Sequence, residues 1–238
     1  MQLQAVRLRE CCKENYELRI RNYELVDFNL YLMTDRKRLL KTQNPKLETR
    51  KLLSAVRQAL KGGVRAIQVR EKDLDTRELL KLAYKMRDLT NNFNARLFIN
   101  DRFDIALAVG ADGVHLAQNS IPVEAVRNAV KKKLVIGVST HSLKEAKAAE
   151  KGGADFITLG PVYRTPSKLK YGDPVGLDTL SKVSGTIKIP VFAIGGIKRD
   201  RIEKVKKAGA FGVAMISEIF GAEDIKERAN EINQKLET

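Results

Sequence analysis

From Leu30 to Leu236 the chain repeats one unit: a short apolar run followed by a charged segment of helical periodicity. Eight such units can be counted, with strands expected at Asn29–Thr34, Val64–Arg70, Arg96–Asn100, Gly113–Leu116, Leu134–Val138, Asp155–Gly160, Val191–Ile194 and Gly212–Ile216. The intervening helices are expected near Glu48–Lys61, Thr76–Asn91, Arg102–Val109, Pro122–Lys131, Ser142–Lys151, Leu177–Val183, Arg199–Lys207 and Glu223–Lys235. Strict alternation of this kind makes a parallel sheet with helices on its outer face. Four of the helix-to-strand junctions look alike: Lys61-Gly62-Gly63-Val64, Val109-Gly110-Ala111-Asp112, Lys151-Gly152-Gly153-Ala154 and Ala208-Gly209-Ala210-Phe211. Glycine there can take the left-handed conformation that turns a helix end directly into a buried strand. Such internal repetition favours a closed (β/α)₈ TIM barrel over a doubly wound sheet, and 238 residues suit one barrel.

The expected organisation is an N-terminal extension, residues 1–28, helical and packed on the barrel base or a partner subunit, followed by a barrel over 29–238. A homo-oligomer is left open. Two connections are longer than a barrel needs, Lys37–Leu47 after the first strand and Pro161–Val175 after the sixth, and long loops in compact barrels tend to be functional. No apolar run reaches the roughly 18 residues of a membrane span, and the N-terminal stretch lacks the apolar block of a signal peptide. A cytoplasmic enzyme is expected. Cys11 and Cys12 are the only cysteines and, being adjacent, are poorly placed to bridge each other. With His115 and His141 far off in sequence they do not make a zinc set.

A net charge of +15 raises the question of an anionic partner. Residues 1–28 carry five basic and five acidic side chains, so the excess lies in the body of the chain. The lysines there are spread along amphipathic helices rather than gathered into a patch, which argues against specific nucleic-acid binding and for phosphorylated small molecules.

In a (β/α)₈ barrel the chemistry sits at strand C-termini and in the loops that follow them. Polar residues crowd those places here: Thr34-Asp35, Gln68 to Asp73, Asn100-Asp101-Arg102, Gln118-Asn119-Ser120, Ser139-Thr140-His141 and Thr165 to Lys168. Arg70 and Lys72 are cationic donors suited to pyrophosphate oxygens, and Asp101 is a carboxylate that Mg²⁺ can use together with substrate phosphates. Asp101 also suits the cap of the helix that follows. Gly195-Gly196 after the seventh strand and Ile216-Ser217 after the eighth stand where many barrels hold a phosphate on backbone N–H groups. Lys168 lies in a loop with Gly172 as a hinge, placed to close onto a bound anion. His141 points toward the mouth as an acid–base candidate. His115 reads instead as a hydrogen-bonded strand residue facing the barrel.

Together Gln68-Val69-Arg70-Glu71-Lys72-Asp73, Ile99 to Ala106, Gly110 to Leu116, Gly137-Val138-Ser139-Thr140-His141, Gly152–Pro161, Thr165-Pro166-Ser167-Lys168, Ala193 to Ile197 and Gly212–Ser217 resemble the thiamine-phosphate synthase superfamily. The resemblance implies a transferase that couples hydroxymethylpyrimidine pyrophosphate to hydroxyethylthiazole phosphate by a dissociative reaction assisted by Mg²⁺. It also implies that Gln68, Arg70, Lys72, Asn100, Ser139 and Lys168 contact the pyrimidine pyrophosphate, and that Asp101 ligates the metal. Thr165, Ser167, Gly196, Ile216 and Ser217 would shape the thiazole phosphate site, with Gly195 beside them. One position departs from the pattern: where synthases carry Gly-Gln-x-Asp, this chain reads Ala117-Gln118-Asn119-Ser120. The missing carboxylate resembles a second branch of the superfamily, a thiazole tautomerase in which the residue matching His141 moves the proton. A non-catalytic phosphate-binding barrel is the third alternative.

Overall fold

The computed structural model describes residues 25–39, 45–131, 133–165 and 173–237. Eight parallel strands close in sequence order: β1 (Leu30–Met33), β2 (Ala66–Val69), β3 (Arg96–Asn100), β4 (Gly113–Leu116), β5 (Val135–Thr140), β6 (Phe156–Leu159), β7 (Val191–Ile194) and β8 (Gly212–Met215), with β8 pairing back onto β1. Around them run α1 (Arg36–Leu39), α2 (Pro45–Lys61), α3 (Thr76–Asn91), α4 (Phe103–Ala108), α5 (Val123–Val130), α6 (Leu143–Lys151), α7 (Gly176–Ser184), α8 (Ile202–Lys207), α9 (Ser217–Phe220) and α10 (Ile225–Glu237). The expected (β/α)₈ barrel is therefore the observed fold. The expected Arg199–Lys207 helix begins as a short 3₁₀ turn, Arg199–Arg201. Among the described residues no helix is long and apolar enough to cross a membrane.

Period-two alternation divides each strand between two cores. Leu30, Leu32, Ile67, Val69, Leu97, Ile99, Val114, Ile136, Ile157, Val213 and Met215 face outward under the helices. The opposite residues, Tyr31, Ala66, Phe98, Val135, Phe156, Phe192 and Ala214, fill the barrel. Inside, each large ring stands in register beside a small residue of the adjoining strand: Tyr31 by Ala66, Phe98 by Gly113, Phe156 by Gly137 and Phe192 by Gly212. A Cβ on Gly113 would fall 2.3 Å from the Phe98 ring, and one on Gly137 2.3 Å from that of Phe156. Rings and gaps thus interlock around the axis.

The left-handed junctions are present, at Gly63, Gly110, Gly153 and Gly209, with φ of 93°, 61°, 92° and 87°. Two of these junctions lead into aspartates that tie the strands together. Asp112 accepts from the backbone N–H of Leu97 and from Arg87, and Asp155 accepts from the N–H of Ile136 and from Arg127.

The last residues of the expected extension pack into the barrel. The expected helix of the extension lies outside the described residues as far as Glu24, but Val26 and Phe28 are fully or nearly fully buried in the barrel's inner core. Phe28 closes the barrel base, with its ring centroid 5.3–5.9 Å from those of Tyr31, Phe98, Phe156 and Phe192. A continuous run Val26-Asp27-Phe28 next to a strand offers no periodicity that separates a plug from an extension. Phe28→Ala is expected to destabilise the protein by about 3–5 kcal/mol, the usual cost of deleting a core ring. Urea unfolding measures it, and a change under about 0.5 kcal/mol, the scale of surface substitutions, would mean that the base does not depend on this plug.

Candidate active site

Above the aromatic layer the inward positions turn polar: Gln68 on β2, Asn100 on β3, His115 on β4, Ser139 on β5 and Thr158 on β6. Across the barrel the matching positions are apolar, Met33 on β1, Ile194 on β7 and Ile216 after β8. The mouth therefore has one polar and one apolar half.

Asp101 is the centre of the polar half. It adopts a left-handed backbone, φ 61°, which is uncommon outside glycine and which Asp and Asn tolerate best. Its N–H donates to the His115 carbonyl at 2.9 Å, fixing β3 to β4 where the loop begins. One carboxylate oxygen accepts from the Ala117 N–H at 2.9 Å and from the Ser120 hydroxyl, and the other accepts from the Asn100 amide at 2.6 Å. Ser120, read from sequence only as a missing carboxylate, is thus a donor to Asp101. The Ala117 N–H also reaches the Ser120 hydroxyl at 2.8 Å, so the short loop after β4 folds around this carboxylate. Asp101 is not a side-chain cap of α4, whose capping position is Arg102.

Arg70, Glu71 and Lys72 follow β2. The sequence gives Glu71 the look of an exposed turn residue, yet it is buried. It accepts from the Thr34 hydroxyl at 2.6 Å and from the Arg36 N–H, while Thr34 in turn accepts from the Arg70 N–H at 3.0 Å. Arg36 is itself buried between Glu48, Glu71 and Asp73. Burial pushes the Glu71 carboxyl above its ordinary range, against the opposing effect of the Thr34 and Arg36 hydrogen bonds. This network anchors the loop after β2 to the end of β1, so that Arg70 and Lys72 leave from a fixed backbone. Sequence reasoning missed it because its partners sit on two different strands.

Beneath the mouth, His115 is 1% exposed. Its pKa is pushed down to about 3, first by burial, with the Asp101 carboxylate opposing and the Arg70 guanidinium adding to the shift. The neighbouring Tyr31 phenol is held protonated by burial, which outweighs the opposing effect of the Gln68 amide. That amide is fully buried, and neither its donor nor its acceptor has a partner within hydrogen-bond geometry.

His141 is 37% exposed at the start of α6, where its Nδ1 lies 3.2 Å from Glu145 and its N–H donates to the same carboxylate. Ser142 caps the helix by accepting from the Glu145 N–H. On the far side Gly195 and Gly196 have φ of 95° and 64°, and a Cβ on either would fall within 2.9 Å of the Pro161–Arg164 segment. Arg201 donates to the Gly196 carbonyl at 2.7 Å and covers the Tyr163 ring at 4.5 Å. Ile216 and Ser217 begin α9, and Thr165 ends the described part of the β6 loop. Ser167, Lys168 and the Gly172 hinge lie outside the described residues.

A closed barrel whose strand ends gather these groups around one mouth is a (β/α)₈-barrel enzyme. A sequence profile of the family described as thiamine monophosphate synthase matches residues 30–219, and the chain belongs to that family. It is 53% identical over 204 residues to a protein of Geobacter sulfurreducens, covering 86% of this chain and 92% of that one. It is 41% identical over 208 residues to the thiamine-phosphate synthase of Syntrophomonas wolfei, covering 87% and 96% of the two chains. The solved thiamine phosphate pyrophosphorylase of Pyrococcus furiosus superposes with a TM-score of 0.78 at 40% identity, over 88% of this chain and 96% of that one.

The buried histidine gives a pH dependence with a definite sign. Its folded pKa of about 3 lies below the ordinary value of 6.5, so below 6.5 the unfolded chain binds the extra proton and stability falls with pH down to about 3. The slope attributable to this one group is at most about 1.4 kcal/mol per pH unit. Urea midpoints taken from pH 7 to pH 4 are expected to fall less steeply in His115→Gln than in the parent. Equal slopes would show that the imidazole is not held neutral.

Proposed function

We propose that the chain joins hydroxymethylpyrimidine pyrophosphate to hydroxyethylthiazole phosphate, giving thiamine phosphate and pyrophosphate. The C–O bond to pyrophosphate breaks with its electron pair leaving on the phosphate oxygen, and the thiazole nitrogen lone pair forms the new N–C bond to the pyrimidine methylene. Family membership supports this reading, and the observation that carries it is the gathering of the inward polar groups Gln68, Asn100 and Ser139 at one point of the mouth, where Asn100 holds the Asp101 carboxylate. Cationic and neutral donors set around such a point stabilise charge that develops on a leaving group.

In this reading Arg70, Lys72, Asn100 and Ser139 hold the pyrophosphate-bearing substrate. Gln68, buried with both amide groups unpaired, offers one donor and one acceptor to a heteroaromatic edge. Gly195, Gly196, Ile216 and Ser217, with Thr165, receive the thiazole phosphate on the opposite, less polar half; by family resemblance alone Ser167 is assigned with them and Lys168 with the pyrophosphate-bearing substrate. Asp101 fits Mg²⁺, which is commonly held by one carboxylate with substrate phosphates and water completing its shell. Bound there, Mg²⁺ would neutralise charge on the departing pyrophosphate. Among the described residues there is no cluster of three or more His, Cys, Asp or Glu that would replace those outer ligands. The tautomerase reading gains nothing from His141, whose contacts are those of a helix start.

Purified protein given both precursors and Mg²⁺ is expected to release pyrophosphate in step with thiamine phosphate. Background release, accompanied by proton exchange on a thiazole carboxylate phosphate, would move the assignment to the tautomerase. Asp101→Ala is expected to nearly abolish turnover. Ser120→Asp supplies a second hard oxygen and is expected to lower the Mg²⁺ concentration for half-maximal rate by about tenfold, the scale at which changes beside a metal ligand alter affinity. An unchanged Mg²⁺ dependence together with a harmless Asp101→Ala would rule out the metal-assisted mechanism.

A further inference from the structure

Three polar groups form a line through the otherwise aromatic floor of the mouth. Tyr31 Oη lies 3.5 Å from His115 Nδ1, and His115 Nε2 lies 3.0 Å from Ser139 Oγ. The imidazole packs against the Tyr31 and Phe156 rings, with centroids 5.6 and 5.8 Å away. Gly137 makes the room for it, since a Cβ there would stand 2.6 Å from His115 Nδ1 and 2.3 Å from the Phe156 ring. In this seat each imidazole nitrogen faces a hydroxyl.

Buried to 1% exposure against two aromatic rings, with a hydroxyl as the only partner of each nitrogen, the imidazole is uncharged and has a single N–H, so the line can run in only two directions. If Nδ1 carried the proton, the Tyr31 O–H would need another acceptor, and the nearby Gln68 amide, whose influence on the phenol is that of a donor, accepts nothing from it within hydrogen-bond geometry. A buried donor would then be left unsatisfied, which costs more than a formed hydrogen bond contributes. If Nε2 carries it, Tyr31 donates to Nδ1 and every group in the line is satisfied. Ser139 Oγ then accepts from the imidazole, and its own proton is directed elsewhere. Ser139 is partly exposed at the mouth end of β5.

We propose that His115 is a positioning residue acting through Ser139: its Nε2–H occupies a Ser139 lone pair and so turns the serine proton toward an anionic oxygen in the mouth. The proposal rests on reading that mouth as a pyrophosphate site. In the opposite direction Ser139 would donate to the imidazole and present only lone pairs to the anion, a repulsive arrangement.

Two measurements test it separately from turnover. In protein labelled with ¹⁵N-histidine, long-range ¹H–¹⁵N correlation spectra are expected to show His115 protonated at Nε2 and bare at Nδ1; the reverse overturns the proposal. In calorimetric titrations of inorganic pyrophosphate with Mg²⁺, His115→Phe and Ser139→Ala are each expected to weaken binding by roughly tenfold to a hundredfold, the worth of a hydrogen bond to a charged group. The double variant should bind no more weakly than Ser139→Ala alone, because the two side chains share one effect. His115→Gln, which keeps an N–H near the place of Nε2, is expected to recover most of the affinity and also serves if the phenylalanine variant does not fold. Additive losses, or a folded His115→Gln as weak as His115→Phe, would show a merely structural role. If the unaltered protein binds no pyrophosphate, the reading of the mouth fails, and the tautomer spectrum alone decides the direction of the line.

Discussion

Everything above the barrel's midline depends on how its interior is filled. Four rings, from β1, β3, β6 and β7, would leave no space for one another if their strand neighbours also carried side chains of size. The in-register partners are Ala66, Gly113, Gly137 and Gly212. This alternation of large with small meets the packing density of a protein interior without displacing any strand. It also sets the level at which the next inward residues emerge, two positions further along each strand. A substitution that enlarged Gly137 would not act locally, since it would push both the Phe156 ring and the His115 ring that touches the mouth.

The polarity of the mouth follows from that frame by period two alone. Tyr31, Ala66, Phe98, Gly137 and Phe156 are inward, so Met33, Gln68, Asn100, Ser139 and Thr158 are inward as well. Hydrogen bonds then adjust the exits of the strands: Glu71 locks the loop after β2 onto Thr34 and Arg36, and Asp101 gathers the loops after β3 and β4. Catalytic geometry that must hold within a fraction of an ångström benefits from such bonded supports.

The fold was legible in the sequence because its signals are local. Apolar runs of four to six residues and glycine at the helix-to-strand junctions sit within a few positions of one another, and strand edges shifted by a residue or two only where the ladder frays. The short helices Arg36–Leu39 and Ser217–Phe220 were not legible, since four residues make barely one turn and show no periodicity. The site was legible as a set of positions, from strand ends and family motifs, but its couplings were not. Ser120 bonds to a carboxylate 19 residues away and Glu71 to a hydroxyl 37 residues away, separations at which a single sequence carries no pairing signal. The seat of Phe28 was not legible for a related reason: its partners are four rings scattered from residue 31 to residue 192.

The arrangement of charge in the mouth has a direction. The floor is uncharged, because burial keeps Tyr31 protonated and His115 deprotonated, while Arg70 and Asp101 follow the C-terminal ends of β2 and β3. A cationic floor would attract an anion deep into the barrel, and would hold it after the bond to it had broken. With a neutral floor, attraction comes from the rim, where hydration returns as product departs, and the floor contributes only oriented dipoles. Dipoles fixed by aromatic packing need no reorganisation as charge moves from carbon–oxygen bond to free anion, which is the condition under which they favour the transition state over the bound substrate. The ring-and-gap packing of the barrel interior is thus also what holds the polar floor in place for chemistry at the mouth.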